Sequence, residues 1–188
     1  KVFYAMTTLA ENLNISIPDR QFIIRPGTID VERVKREMRG SGDYNIEIII
    51  ELESSRKVEK NIKSKTIVTG LQINALNGSN KIAVNTLDRP LKVLYAYAER
   101  NWYNYGLTSA YLYDEKTQRW KKVDTKSQYN GDTNQGHVVF EISNTGDFVI
   151  AEYKGDYFDD IGNHWARDSI NNVASVYSLK SVSGRKFN

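Results

Sequence analysis

The sequence predicts a mainly β protein, a β-sandwich-like domain with one short helix that runs into a short helical segment at the C-terminus. Three observations carry this. Twelve Tyr and three Trp stand against only three Pro, a composition that favours strands. Several runs alternate apolar and polar residues with a period of two, the mark of a strand with one buried face. Polar turn clusters separate these runs at short spacing, as they do in sandwiches. At 188 residues, 40% apolar and 26% charged, the chain is long and apolar enough to bury a real core.

Residues 1–13 fit a strand or a helix, because Val2, Phe3, Met6 and Leu9 suit both periods, and a strand is the preferred reading. An extended piece at 14–17 meets the Pro18-Asp19 turn and leads into Phe22-Ile23-Ile24, which Pro26-Gly27 closes. Asp30 is placed to cap a helix on which Val31, Val34 and Met38 share one face, with Gly40-Ser41-Gly42 as its stop. Residues 44–52 then alternate cleanly: Tyr44, Ile46, Ile48, Ile50 and Leu52 on one face, Asn45, Glu47, Glu51 and Glu53 on the solvated one. Ile67, Leu71, Ile73 and Ala75 repeat the pattern, and an Asn77-Gly78 turn demanding positive φ leads to Ile82 and Val84. Asp88-Arg89-Pro90 is expected to turn the chain into a strand through Leu91, Val93, Tyr95 and Tyr97. Further strands are expected at 109–113, 119–123, 137–142 and 147–153, parted by turns such as Asp114-Glu115-Lys116-Thr117 and Asn130-Gly131-Asp132. After Tyr153 the Lys154-Gly155-Asp156 break marks a boundary, so residues 1–153 form the β-rich part, as one unit or as two (1–64 and 65–153), and 154–188 the rest.

Charge and composition exclude several classes of function. A formal net charge of +3 with acids and bases interspersed leaves no basic stripe for nucleic acid. The absence of Cys removes disulfides, thiolate metal sites and Cys nucleophiles. No apolar run approaches the roughly 18 residues of a membrane span. With two His and no glycine-rich phosphate loop, His-Glu-x-x-His helix or Gly-x-Ser-x-Gly elbow, no catalytic set emerges, and the chain is read as not an enzyme. No cofactor or metal is expected. Asp156, Asp159 and Asp160 lack the spacing of a calcium loop and read better as helix-capping acids, and Asp132 and Asn134 as turn residues. The chain starts at Lys1 with neither Met nor leader, and is read as a fragment of a longer protein.

One segment carries a resemblance. Phe158-Asp159-Asp160-Ile161-Gly162-Asn163-His164-Trp165-Ala166 is followed by Ile170 and then by Ser183-Gly184-Arg185-Lys186-Phe187. An acidic-aromatic loop, a His-Trp-Ala helix start and a Ser-Gly turn before an aromatic residue, in that order, resemble the opening half of an S-layer homology (SLH) motif. Trp165, Ile170 and Val173 fall on a common apolar face of the helix. The likeness covers residues 158–187 and lacks the Thr-Arg-Ala-Glu box that opens the second helix in that family, so half of one α-helical motif is expected here. More loosely, residues 67–153 are similar to the β-rich domain that precedes such motifs in surface proteins of Gram-positive bacteria. The phrases that carry this include Asp88-Arg89-Pro90-Leu91-Lys92-Val93 and Trp120-Lys121-Lys122-Val123. Where that domain usually shows a His-Phe-Ser phrase, this chain has Asn144-Thr145-Gly146-Asp147-Phe148.

The resemblance implies a secreted, non-catalytic protein of the cell surface and S-layer. Its β-domain would serve as spacer or display module, and its complete SLH region would attach it non-covalently to a pyruvylated secondary cell-wall polysaccharide. On that view Trp165, Ser183 and Gly184 belong to the polymer-binding groove. The residues alone leave alternatives open: Trp165 at a helix start reads more readily as a packing plug than as a ligand contact, and Ser183-Gly184 reads equally as a tight turn. A rival reading is a carbohydrate-binding module carried on the same anchor, with Trp102, Tyr103 and Tyr105 as a loop platform and Tyr95 and Tyr97 turned to the core. Other polysaccharides or surface proteins are its alternative partners.

Overall fold

A computed structural model describes residues 2–6, 11–39, 44–60, 62–97, 108–130, 135–153, 158–177 and 186–187. The strands are β1 (Val2–Met6), β2 (Leu13–Ile17), β3 (Arg20–Ile24), β4 (Asn45–Glu51), β5 (Ile62–Ser64), β6 (Thr69–Asn77) and β7 (Asn80–Ala83). They continue as β8 (Thr86–Tyr97), β9 (Thr108–Asp114), β10 (Arg119–Lys122), β11 (Thr125–Asn130), β12 (Gln135–Asn144) and β13 (Gly146–Tyr153). Helices α1 (Val31–Met38) and α2 (Arg167–Tyr177) complete the described elements, and the mainly β class is as the sequence predicts.

The strands form two antiparallel sheets with their alternating apolar faces opposed, a β-sandwich-like arrangement. The first sheet runs β1-β4-β6-β13-β9-β10, with β5 on β13 and β7 on β6; the second runs β11-β12-β8-β3-β2. Inward residues of both meet in one core: Ile46, Ile48, Ile50, Leu71, Ile73 and Ile150 from the first sheet, Phe22, Ile24, Leu91, Val93, Phe140 and Ile142 from the second. Phe148 bridges them, lying edge-on to Phe22 at 6.0 Å and to Phe140 at 5.6 Å between centroids. Helix α1 drives Val34, fully buried, into this core with Val31 and Met38 packed beside it, as its spacing predicts. Asp30 Oδ1 accepts from the backbone N–H groups of Glu32 (3.0 Å) and Arg33 (3.1 Å), the expected N-cap.

Two of the chain's changes of sheet lie at neighbouring points, at Val84-Asn85 between β7 and β8 and at Thr145 between β12 and β13. The two crossings are stitched together: Thr145 N–H donates to Asn85 O (3.0 Å) and its hydroxyl to Val84 O (3.2 Å). Residues 52–60 form a strap on the outer face of the first sheet ahead of β5, which pairs with β13 within that sheet. Val58 of the strap, with Ile62 and Val68, packs on Tyr111, Trp120, Val149 and Ala151, a second and smaller apolar layer.

Several local expectations are corrected. Asp88-Arg89-Pro90 is not a turn, because β8 runs through it. The register with β12 jumps there, from Leu91↔Ile142 to Thr86↔Asn144, so Pro90 sits in a bulge where no ladder N–H is required of it. The β6–β7 hairpin turns on Gly78-Ser79 rather than Asn77-Gly78, since Asn77 pairs with Asn80 and Gly78 alone takes a positive φ, +59°. Ile67 is exposed, and the inward series begins at Thr69. The outward face of β4 is not simply solvated: Glu47 accepts from Asn74 Nδ2 (2.9 Å) and Lys81 Nζ (2.8 Å). Strands β5 and β11 were not expected; β11 is a polar edge strand that pairs on one side only, with β12. Arg39 takes the left-handed cap of α1 at φ 50°, while Gly40, Ser41 and Gly42 lie outside the described residues.

Candidate binding surfaces

The C-terminal segment has its own small core, in which Phe158 and Ile161 of the loop and Ala174 of α2 are buried with Ile170 beside them. The helix start is organised by His164. Its carbonyl accepts from Arg167 N–H (2.9 Å), and its side-chain Nδ1 accepts from Ala166 N–H (3.1 Å), which leaves Nε2 as the ring's donor. Asp160 accepts from Phe187 N–H (2.8 Å), holding that residue against the loop, while Asp156 lies outside the described residues.

Trp165 is 92% exposed, contrary to the packing role favoured from sequence, and Val173 on the same expected face is also exposed. The reason is one of size. Ala174 and Ile170 fill the small contact with Phe158 and Ile161, and the indole stays outside. It stacks on His164, with centroids 5.7 Å apart and planes 27° from parallel, and Phe187 stands 6.5 Å from the same imidazole and 5.3 Å from Phe158. The result is a row of rings with one indole face open to solvent. Ser183 and Gly184 lie outside the described residues, as do Trp102, Tyr103 and Tyr105, so neither the turn nor the loop platform is placed relative to Trp165.

Tyr95 is buried, as its alternation requires, within a polar cluster at one end of the sandwich. Its hydroxyl donates to Asp19 Oδ2 (2.5 Å) and accepts from Arg20 Nη2 (2.9 Å). Arg20 Nε donates to Asp19 Oδ1 (2.7 Å), and Nη1 reaches Thr69 Oγ1 on the other sheet. The Arg20 hydrogen bond, more than the opposing burial, holds the Asp19 carboxyl below its ordinary value. Burial first, then the Asp19 bond, pushes the Tyr95 phenol up, so it stays protonated. This cluster ties the two sheets together.

A groove lies between the strap and the outer face of the first sheet, with a volume of about 730 Å³. Arg56 crosses it: Nε donates to Asp147 Oδ2 (2.7 Å), Nη2 to Glu115, and the guanidinium lies 3.8 Å from the Tyr113 ring centroid. The Asp147 bond raises the Arg56 pKa further above its already high ordinary value. The backbone N–H of Trp120 donates to Glu59 Oε1 and its indole N–H to Lys57 O, both at 3.1 Å. Sequence reasoning did not find this groove, because the strap is irregular and its contacts join residues 59 to 91 positions apart.

Among the described residues no cluster of His, Asp or Glu is arranged to hold a metal ion, and no helix is long and apolar enough to cross a membrane. No family model matches the chain, and no curated protein or solved structure is significantly similar to it.

Proposed function

We propose that the chain is part of a non-catalytic cell-surface protein whose C-terminal segment contributes to attachment on a cell-wall polysaccharide. One observation supports this best: Trp165 leaves an indole face open to solvent, backed by His164. An apolar ring exposed in this way loses its contact with water only when a flat partner covers it, and the C–H face of a sugar ring is such a partner. The SLH resemblance of residues 158–187 supplies the class of polymer, a pyruvylated wall polysaccharide, and the cell surface as the location. The sandwich serves as spacer or display platform for what it carries.

The test is sedimentation of the gene's full-length product with purified sacculi, before and after acid extraction of their secondary polymer. Binding is expected to native sacculi alone. Trp165→Ala is expected to weaken it about tenfold, equivalent to about 1.4 kcal/mol of stacking, with unchanged thermal stability. A full-length protein that ignores native sacculi sinks this reading.

A further inference from the structure

The sequence shows no basic stripe because the residues that make one come from two separate segments. Residues 52–65 and 114–126 carry ten Lys and Arg against five Asp and Glu, so the formal +3 of the whole chain is concentrated in them and the remainder is slightly acidic. The fold joins the two segments: Glu59 of the strap accepts from the Trp120 N–H of the edge strand β10, and Lys57 O accepts from the Trp120 indole. Most of the acids here are committed. Glu115 is held by Arg56 and Asp114 by Lys121, Glu59 by the Trp120 backbone, and Asp124 acts on Lys122, which leaves Glu53 at the start of the strap. Lys57 and Lys60 on the strap and Lys63 on β5 are exposed and have no acidic partner among the described residues. Lys122 lies on the Trp120 side of β10, opposite Tyr111.

We infer that the strap, β5 and β10 form a cationic docking surface for an acidic polysaccharide, one that carries carboxylates along its chain. The excess of uncommitted cations selects a polyanion. Their type favours carboxylates at irregular spacing: a lysine ammonium is a point charge on a flexible stem, whereas the planar fork of Arg56 is closed by Asp147 and Glu115. Ser55 and Gln118, both exposed, add hydroxyl and amide partners for sugar hydroxyls. Nucleic acid fits less well. Trp120 is buried and the Arg56 guanidinium covers the Tyr113 ring, so neither aromatic face is open to stack a base. The pyruvylated wall polymer is a polysaccharide of this kind, and only that choice of source rests on the wall-attachment reading; the charges do not.

The test is titration calorimetry on the whole chain with polygalacturonate, neutral dextran and duplex DNA, at about 50 mM and about 300 mM salt. Polygalacturonate is expected to bind at the lower salt and to lose about tenfold or more in affinity at the higher, as its charges are screened. The triple substitution Lys57→Gln, Lys60→Gln, Lys63→Gln is expected to weaken it about tenfold with an unchanged melting temperature. The same loss of charge elsewhere, in Arg36→Gln, Arg89→Gln, Lys92→Gln, should change it by no more than about twofold. Trp165→Ala is expected to leave this affinity intact. The proposal is overturned if polygalacturonate fails to bind at the lower salt, if the two triple variants lose affinity equally, or if dextran or DNA binds as tightly. Sacculus binding by the full-length protein without polygalacturonate binding by this chain would sink the docking surface and leave wall attachment standing; the reverse result would do the opposite.

Discussion

On the first sheet, Tyr111, Trp120, Val149 and Ala151 point away from the sandwich and are nonetheless buried, because the 52–60 strap, together with Ile62 and Val68, packs against them. On the second sheet, Ile23, Leu94 and Val139 hold the equivalent outward positions and remain partly exposed, with no strap above them among the described residues. The inner faces of the two sheets are alike. What separates the outer faces is an irregular segment that brings a few apolar side chains and one arginine. Each large side chain so covered adds about 1.5–3 kcal/mol of transfer free energy, which the open face forgoes. Attachment of the second sheet relies more on its inner face and on polar bonds at its rim, where Arg20 reaches across to Thr69.

Trp120→Ala should produce the largest effect of this difference. It empties part of the strap's apolar layer and removes the bond to Lys57, and a loss of about 3–5 kcal/mol is expected in urea denaturation. A loss under about 1 kcal/mol would mean that the strap merely rests on the sheet. Asp19→Asn probes the rim and should cost about 1–2 kcal/mol at neutral pH, since Arg20 and Tyr95 both lose a charged partner. The Asp19 carboxyl is held below its ordinary 3.8 in the folded state, so its contribution is present above that value and is lost as pH falls through the lower, folded-state value. Melting curves of wild type and Asp19→Asn should therefore converge once the pH has fallen below the lowered, folded-state value. Val139→Thr on the open face should do least, within about 0.5 kcal/mol, and a larger penalty would reveal a cover on that face.

The contrast between the faces was partly legible beforehand. The run Phe148-Val149-Ile150-Ala151 does not alternate, which signals a strand covered on both sides, whereas β12 alternates along most of its length. Strands β4, β6, β8 and β12 were readable because each has one buried face with period two. β11 was not, because an edge strand can be polar throughout and is defined by its partner's hydrogen bonds. The strap escaped because no local period marks a segment held by Arg56 and Trp120 contacts from distant strands. At the C-terminus the aromatic residues were legible but their placement was not. Helical spacing put Trp165 on an apolar face, and the small core formed by Phe158, Ile161 and Ala174 closed without it.

The position of β13 has a consequence for the order of assembly. This strand pairs with β5, β6 and β9, so the last strand of the sandwich in sequence is a central one in space. Until residues 146–153 are available, the first sheet exists as separate pieces, β1-β4-β6-β7 and β9-β10, and Phe148 is missing from the middle of the core. Closure must then join segments far apart in the chain, which is slow for a non-local topology. A ribosome-bound chain would stay open to chaperones until nearly all of the sandwich had emerged.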